Sequence, residues 1–373
     1  MTKVEESRGD AVAKPVLTLP SPHNEDWHWS RLNALEALSG EEHGQFPLPN
    51  QSSFWSGLTG PKLLFVDGVY QAEASHAGPV KVEAVTEKSQ NPLGKMTNGQ
   101  IGWTLNLEET CAEPIEILYL GSGGAYHMPS SIRLAKNVSA TLVETYAGQG
   151  WSNRFSYFDL GENARLQRLA RLSCEGGFTS LIEEGSLGEK ACLITDWIGN
   201  KGADSRIDQR FDLNASGAEL MSGGAFLARE KQRHDIMIIT RHIAEGCQSR
   251  QKLRALADDQ STVSLAVRTE VASSAQKSDG EQSLKGLLLS RDATVNMKPE
   301  LEIYADDVKC AHGAAVGELD PQALFYLESR GIDPEEAKDL LIQSFVMEAF
   351  ISKPDSLLYS TWLHDTEHWA GEK

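Results

Sequence analysis

The sequence predicts a mainly β fold, in which a long β-solenoid is flanked by helical regions. Runs of β-forming residues recur between positions 101 and 318, and glycine, asparagine, aspartate and serine separate them. No long amphipathic helix interrupts the runs, which excludes a doubly wound α/β fold. A β-sandwich is usually shorter than this stretch, whereas a solenoid reaches such a length by stacking coils. The runs show no strict repeat, so a sandwich remains the alternative on pattern alone.

Residues 1–100 are predicted to form an N-terminal region made of an arm, a helical segment, a hairpin and a linker. Residues 1–20 are polar and contain proline, which is typical of an arm outside the core. The segment NEDWHWSRLNALEALSG (24–40) predicts a helix that Asn24 caps and that ends at Gly40. In PKLLFVDGVYQAEAS (61–75), Asp67–Gly68 predicts a tight hairpin turn, and the polar residues 86–100 predict a linker.

Residues 101–318 are predicted to form the β core. Its clearest β-type runs are IEILYL (115–120), ATLVETY (140–146), FSYFDL (155–160), ACLITDWI (191–198), DIMIIT (235–240) and TVSLAVRTEV (262–271).

Residues 319–373 are predicted to form a C-terminal helical domain. Asp320 and Asp333 are N-caps, each followed by a proline at the first helical position, and Gly331 ends the first helix. The second helix carries apolar residues at helical spacing, namely Ala337, Leu340, Leu341, Phe345 and Ala349. The two helices are expected to cap the open end of the solenoid or to form a docking surface, and these two roles are compatible.

The composition indicates a cytosolic protein that binds neither nucleic acid nor membrane. The formal net charge is −18, whereas nucleic acids and anionic membranes are bound by clustered Lys and Arg. The five cysteines are widely separated and form no C-x-x-C pair, which is typical of reduced thiols rather than of disulfides. The polar start MTKVEESRGD shows no secretory signal, and no apolar run approaches the length of a membrane span.

Common catalytic motifs are missing from the sequence, with one exception. The segment SQNPLGKM (89–96) lacks the first glycine and the final Ser or Thr of a Walker A loop, and no G-x-S-x-G elbow occurs. His364, Glu367 and His368, however, fit H-x-x-E-H, in which two imidazoles one helical turn apart can bind zinc. A zinc-dependent hydrolase using these residues is therefore the alternative function, although only five residues follow to supply a third ligand.

Cys310 and His312 form the second candidate site, in YADDVKCAHGAAVGELD (304–320). On a strand, residues i and i+2 point to the same face, with Cα atoms about 6.6 Å apart. A thiolate and an imidazole so placed could bind one metal ion, but a tetrahedral site needs four ligands and nothing nearby in the sequence supplies the others. The pair is thus at most half of a metal site. It could also be a nucleophile with its base, or a buried thiol beside a hydrogen-bonded histidine.

Four segments closely resemble the SufB/SufD family of iron–sulfur cluster assembly proteins. The most specific is KPELEIYADDVKCAHGAAVGELDPQALFYLESRGIDPEEAKDLLIQSF (298–345). The segments RHDIMIITRHIAEGCQSRQKLRALADD, LVETYAGQGWSNRF and NEDWHWSRLNALEAL are similar to their counterparts in the SufD branch. The form CAHGAAVGELD is also SufD-like. Ser278, Gly280 and Lys285 depart from the Thr, Ala and Asn that relatives usually show.

The resemblance implies a right-handed parallel β-helix core and a non-catalytic subunit that works with SufB and with the ATPase SufC. The strand with Cys310 and His312 matches the SufB contact surface, where both residues are expected to bind a nascent iron–sulfur cluster. The helices after Asp320 match the region that docks SufC, with expected contacts at Pro321, Leu324, Phe325, Leu340, Leu341 and Phe345.

The same resemblance implies what the complex does with this surface. Motion driven by ATP in SufC is expected to open the interface with SufB, so that iron can enter. No stably bound cofactor is expected, only transient iron or a transient cluster at the interface. A homodimer of the isolated chain is a further expectation.

Overall fold

The computed structural model describes residues 19–21, 23–352 and 357–371, with residues 357–359 and 371 described by their backbone alone. It is mainly β, with 49% strand, and forms a parallel β-solenoid of about 8 turns with a few helices near its termini. The predicted solenoid is thus confirmed, and the sandwich alternative is wrong. Residues 1–18 of the predicted arm lie outside the described residues.

The described residues contain seventeen strands, in the order β1 Lys62–Val66, β2 Val69–Tyr70, β3 Val80–Ala84, β4 Ile101–Leu107, β5 Ile115–Leu134, β6 Ser139–Leu160, β7 Arg165–Cys174, β8 Phe178–Leu187, β9 Cys192–Gly199, β10 Asp204–Leu213, β11 Glu219–Ala228, β12 Arg233–His242, β13 Gln248–Ala257, β14 Thr262–Val271, β15 Asp279–Leu288, β16 Thr294–Ile303 and β17 Lys309–Gly317. Their α-helices are α1 Ala34–Gly40, α2 Pro321–Glu328, α3 Pro334–Met347 and α4 Leu357–Gly371. Short 3-10 turns occur at Glu25–Trp27, Gln51–Ser53, Ala72–Ala74 and Gly94–Thr97. Among these helices, none is long and apolar enough to cross a membrane.

The coils build two parallel sheets whose inner side chains meet in a filled interior, which we call the lumen. The first sheet contains β1, the first halves of β5 and β6, and then β7, β9, β11, β13, β15 and β17. The second sheet contains β4, the second halves of β5 and β6, and then β8, β10, β12, β14 and β16. Side chains alternate along each strand between the lumen and the outer face.

The length of the coil varies along the solenoid, which explains why the sequence shows no strict repeat. Ser180 pairs with Arg206, 26 positions further on, whereas Val263 pairs with Val295, 32 positions further on. One corner needs glycine, because a Cβ on Gly177 would lie 2.0 Å from the carbonyl oxygen of Gly150 and Gly177 has a φ of 90°.

The predicted hairpin is confirmed and belongs to the solenoid. Strands β1 and β2 pair antiparallel around Asp67–Gly68, whose φ angles of 49° and 79° are those of a tight hairpin turn. Strand β1 also pairs in parallel with β5 and so continues the first sheet. The segment predicted as a linker is packed rather than solvated, because Leu93 and Thr97 are buried and Asn91 Nδ2 donates to Asp208 Oδ2 at 2.9 Å.

The single helix predicted over residues 24–40 is wrong. A 3-10 turn at Glu25–Trp27, which the Asn24 side chain caps, is separated from α1 by an irregular segment. Trp27 packs with Trp151 on the second sheet, and Trp29 packs with Met237 on the same sheet. Residues two apart point to nearly opposite sides of a helix. Both indoles can therefore contact one sheet only if the helix is interrupted.

The C-terminal helices begin as predicted, but they do not cap the solenoid. The carboxylates of Asp320 and Asp333 accept hydrogen bonds from backbone N–H groups of α2 and α3, and a proline follows each. Helices α3 and α4 pack on the outer face of the first sheet, where Ile342, Val346 and Trp362 join one apolar cluster with strand residues. The predicted apolar stripe is shifted, since Leu340 is 40% exposed while Ile342 is buried.

Candidate functional site

The C-terminal end of the solenoid is uncovered in the part of the chain that the structure describes. There β16 pairs only with β14, and β17 pairs only with β15, so each strand has one free edge. We call these two free edges the open end. Most residues of β17 are exposed, and Ile303, Tyr304 and Val316 add exposed apolar surface. Such an edge can accept a strand from another chain.

Cys310 and His312 both lie on β17 and point to the same face. Cys310 pairs in register with Gly280 on β15, and His312 pairs with Gln282. Gln282 points into the lumen, because its side chain donates a hydrogen bond to Thr269 of the second sheet. Paired residues on adjacent parallel strands share a face. Cys310 and His312 therefore lie over the lumen, on its last, uncovered turn.

The side chain of Cys310 is half-buried against its own chain. It packs beside Val271, Ala275 and Ala305. Burial raises the pKa of the Cys310 thiol, and a hydrogen bond with the Gly280 backbone offsets this only in part. The thiol is therefore protonated at neutral pH, and it becomes a thiolate ligand only when a metal ion displaces the proton.

The imidazole of His312 is exposed, and no hydrogen bond within the described chain joins it to the Cys310 thiol. A nucleophile–base dyad needs such a bond and an activated thiol, so the geometry does not favour a dyad. Among the described residues, no group of three or more His, Cys, Asp or Glu is close enough to hold a metal ion. Cys310 and His312 thus offer two ligands at a surface where the remaining ligands are missing.

The alternative zinc motif lies on α4, which packs against the first sheet. His364, Glu367 and His368 are exposed, and the centroids of the two imidazole rings are 4.2 Å apart. No third protein ligand joins them within the described residues. A zinc hydrolase at this position is therefore not supported.

The predicted docking residues lie on α2 and α3, directly after the open end, and one of them, Phe345, packs against the apolar cluster beneath α3. Only Glu318–Asp320 separates β17 from α2. Of the six predicted contacts, Pro321, Phe325 and Leu340 are exposed, while Leu324, Leu341 and Phe345 are half-buried. Phe325 is 71% exposed and Tyr326 beside it is 57% exposed. Apolar exposure of this kind is typical of a protein contact surface.

A line of polar side chains inside the lumen was not predicted from the sequence. Register pairs connect one lumen position on each strand of the first sheet from β7 to β17, running through Arg168, Thr195, Ser222, Gln251, Gln282 and His312. We call this line the polar ladder. Its members are 27 to 31 positions apart, for example 27 between Arg168 and Thr195 and 31 between Gln251 and Gln282. A search of the sequence for polar residues that recur every 27 to 31 positions would have found these residues.

A sequence profile described as "SUF system FeS cluster assembly, SufBD core domain" matches residues 120–345. The chain belongs to the SufBD family. The part that matches the SufBD profile begins within β5, covers all later strands and continues through α2 into α3. It therefore includes Cys310, His312 and the six residues that are predicted as docking contacts.

Named relatives in the SufBD family agree with the profile. Over 361 residues, the chain is 26% identical to the iron–sulfur cluster assembly protein SufD of Escherichia coli, which covers 88% of this chain and 84% of that protein. A SufBD family protein of Synechocystis is 24% identical over 394 aligned positions, covering 92% of this chain and 86% of the relative. A match to SufD of Bacillus subtilis is 46% identical over 72 residues, 19% of this chain and 16% of the relative. The predicted resemblance to the SufD branch is confirmed.

Proposed function

We propose that this SufBD family member is the SufD-like, non-catalytic subunit of a cytosolic SufB–SufC–SufD complex that assembles iron–sulfur clusters. Family membership supports the general role. The observation that carries the specific proposal is the incomplete pair of ligands, Cys310 and His312, on the open end of the solenoid. Iron and sulfide are substrates at this surface, and the nascent cluster is bound there only transiently.

SufB is the partner that completes the site. Thiolate is the usual ligand of iron–sulfur clusters, and histidine replaces it in some centres. Cys310 and His312 supply one ligand of each kind, and SufB supplies the rest when its own strand edge meets β16 and β17. In the absence of SufB, the same free edges are available to a second copy of the chain, which would give a homodimer.

SufC docks on α2 and α3, and its ATP-driven motion reaches the open end through the short connection Glu318–Asp320. Helix α3 and the segment after it are held to the first sheet by polar contacts. Glu348 bonds Arg254 at 3.3 Å, and the buried Asp196 carboxylate accepts hydrogen bonds from the Ile351 and Ser352 N–H groups at 2.9 and 3.0 Å. Helix α2 contains no buried residue. Movement of SufC is therefore passed to α2 and to β17, the strand with one neighbour, and opens the interface for iron.

The His312→Ala variant tests the ligand role. Because the ring is exposed, the variant should fold and assemble with SufB and SufC. Cluster formation on the purified complex, followed by visible absorbance after iron and sulfide are supplied, should fall by more than about 100-fold, because loss of a residue that only orients a ligand already costs about 10- to 100-fold.

The matched control is His76→Ala, which removes another exposed imidazole, located far from β17 in the sequence. It should leave cluster formation unchanged. If the His312→Ala variant assembled a complex that formed clusters as well as wild type, His312 would not be a ligand of the cluster. A wild-type chain that purified with neither SufB nor SufC would contradict the complex itself.

The Phe325→Asp variant tests the docking surface. A side chain that is 71% exposed contributes little to the fold. A buried aromatic contact at an interface commonly contributes about 2 kcal/mol, so the affinity for SufC should fall by about 30-fold. Isothermal titration of SufC into the purified chain measures this loss. Gln322→Asp introduces the same charge at another exposed position of α2 and should weaken binding less, and equal affinities for wild type and Phe325→Asp would place SufC elsewhere.

A further inference from the structure

The polar ladder ends at the proposed ligand His312, and its last internal member is Gln282. Thr195, Ser222, Gln251 and Gln282 are at most 1% exposed, so the ladder is enclosed until it reaches β17. His312 follows Gln282 in register on the adjacent strand. Adjacent strands are about 4.8 Å apart, so the imidazole is the nearest ladder side chain on the open side of the Gln282 amide.

The amide of Gln282 has a defined orientation. Its Nε2 donates to the Thr269 hydroxyl at 2.9 Å and to the Glu300 backbone carbonyl at 3.0 Å. A carbonyl oxygen can only accept a hydrogen bond, so the nitrogen must face Glu300 and cannot exchange places with the oxygen. The Oε1 atom consequently points away from both partners.

The Oε1 atom of Gln282 is buried and has no hydrogen-bond partner in the described chain. A buried acceptor without a hydrogen bond is unfavourable. The donors of Gln282 itself are used, and Gly280, the neighbouring lumen position on the same strand, has no side chain to offer. The imidazole N–H of His312 is the donor that the register places beside this oxygen.

We infer that Gln282 is a positioning residue for His312, an inference that rests on the proposed function. Its Oε1 accepts a hydrogen bond from one ring N–H, directly or through one water molecule. That bond selects one tautomer and leaves the lone pair of the other ring nitrogen directed to the open end. A metal-binding histidine usually donates its second ring nitrogen to an acceptor of this kind, which orients the ring for the metal.

An amide suits this task because it does not ionise. A carboxylate in the same place would favour the imidazolium form, which has no lone pair to bind a metal. The Gln282 oxygen accepts a hydrogen bond without adding a buried charge to the lumen. The ring is thereby held in a fixed direction before the partner arrives.

The test is the tautomer of His312 in the full-length chain, labelled with ¹⁵N at histidine. Long-range proton–nitrogen NMR distinguishes the two neutral tautomers at about pH 8, above the ordinary pKa of imidazole. His312 is assigned by the signal that His312→Asn removes. Wild type should show one dominant tautomer at His312, and Gln282→Met, which keeps the length of the side chain but removes the acceptor, should show a mixture.

Gln251→Met is the matched control. Gln251 lies one coil deeper in the same ladder, donates its Nε2 to Thr240 at 3.2 Å and also has an unpartnered Oε1. It is out of reach of β17, so its variant should leave the His312 tautomer unchanged. An equal change in both variants would mean that the effect is general loosening of the lumen, and the inference would be wrong.

Two further results would overturn the inference. One is a wild-type spectrum in which His312 shows the same tautomer mixture as the exposed His76. This measurement uses only the wild-type chain, so it does not depend on whether a variant folds. The other is a Gln282→Met complex that changes tautomer but assembles clusters as fast as wild type, since the expected loss is about 10- to 100-fold. The NMR experiment needs neither SufB nor a cluster. Its failure is therefore separate from failure of the proposed function, which the His312→Ala variant decides.

Discussion

Acidification from pH 7 to pH 4 is expected to lower the free energy of unfolding by about 6 kcal/mol through two buried histidines. His234 is 2% exposed and His242 is 0% exposed. Burial lowers the pKa of each to about 4, from an ordinary value of 6.5. The unfolded chain therefore binds protons between pH 6.5 and 4 that the folded chain does not. The contribution of the two neutral rings to the free energy of unfolding is complete above pH 6.5. It decreases as the pH falls to 4, by about 3 kcal/mol for each ring.

The physical reason is burial in the lumen, where the hydrogen-bond partners of both rings are neutral and the charge of Asp279 offsets the burial of His242 only in part. Ser205 lies 2.8 Å from His234 Nδ1, and Ser249 lies 2.8 Å from His242 Nε2. A hydroxyl can bond a neutral imidazole but compensates poorly for the desolvation of an imidazolium. Urea unfolding at a series of pH values, followed by tryptophan fluorescence, measures the effect.

The controls compare slopes rather than absolute stabilities. His242→Gln should remove about 3 kcal/mol of the decrease between pH 7 and pH 4, whatever it does to stability at pH 7. His364→Gln, at an exposed position of α4, should leave the decrease unchanged. Parallel curves for His242→Gln and wild type would show that His242 does not titrate with a lowered pKa.

Removal of the Arg168 charge is expected to destabilise the chain by about 3–5 kcal/mol. Arg168 is buried in the lumen between two buried carboxylates, with Nε 2.6 Å from Glu144 Oε2 and Nη1 2.6 Å from Glu183 Oε1. Burial alone would lower the pKa of Arg168, but the two carboxylates outweigh burial and raise it, so the guanidinium stays charged. Arg168→Met leaves both carboxylates buried without their cation.

The remaining partners of the carboxylates cannot replace the lost charge. Glu144 keeps the hydroxyl groups of Tyr119 and Tyr146, at 2.8 and 3.1 Å, and Glu183 keeps the indole N–H of Trp197 at 3.1 Å. These are neutral donors, which bind a carboxylate more weakly than a guanidinium does. Urea unfolding at pH 7 measures the loss, provided that the transition remains a single step.

Two comparison variants separate the buried charge from other effects. Arg241→Met removes a half-exposed guanidinium that bonds Asp212 and Glu270 at 3.2 and 3.1 Å, and should cost less than about 1 kcal/mol. The triple variant Glu144→Gln, Arg168→Met, Glu183→Gln removes all three charges and should recover much of the loss. If Arg168→Met were as stable as wild type, the Glu144 and Glu183 carboxylates would have to be protonated or hydrated in the lumen.

Local features of the chain could be predicted because they depend on residues close together in the sequence. The aspartate–proline caps of α2 and α3 and the Asp67–Gly68 turn each involve a few neighbouring residues, and each is present as predicted. The relation of Cys310 to His312 follows from the alternation of a strand in the same way. The longer prediction over residues 24–40 is wrong, because Trp27 and Trp29 both contact the second sheet and the helix is interrupted between its two halves.

The amino-acid order alone was enough to predict a mainly β chain with capped C-terminal helices, a resemblance to the SufB/SufD family and a cysteine–histidine pair on one strand. Three features became visible only in the folded chain: α3 and α4 lie on the side of the solenoid, its last described turn is open, and Gln282 pairs in register with His312. The reason is that coil lengths differ, with offsets of 26 residues in one place and 32 in another, so the residues that stack are set by inter-strand register. Register depends on how whole coils pack around the lumen, and no short segment of the chain contains that information.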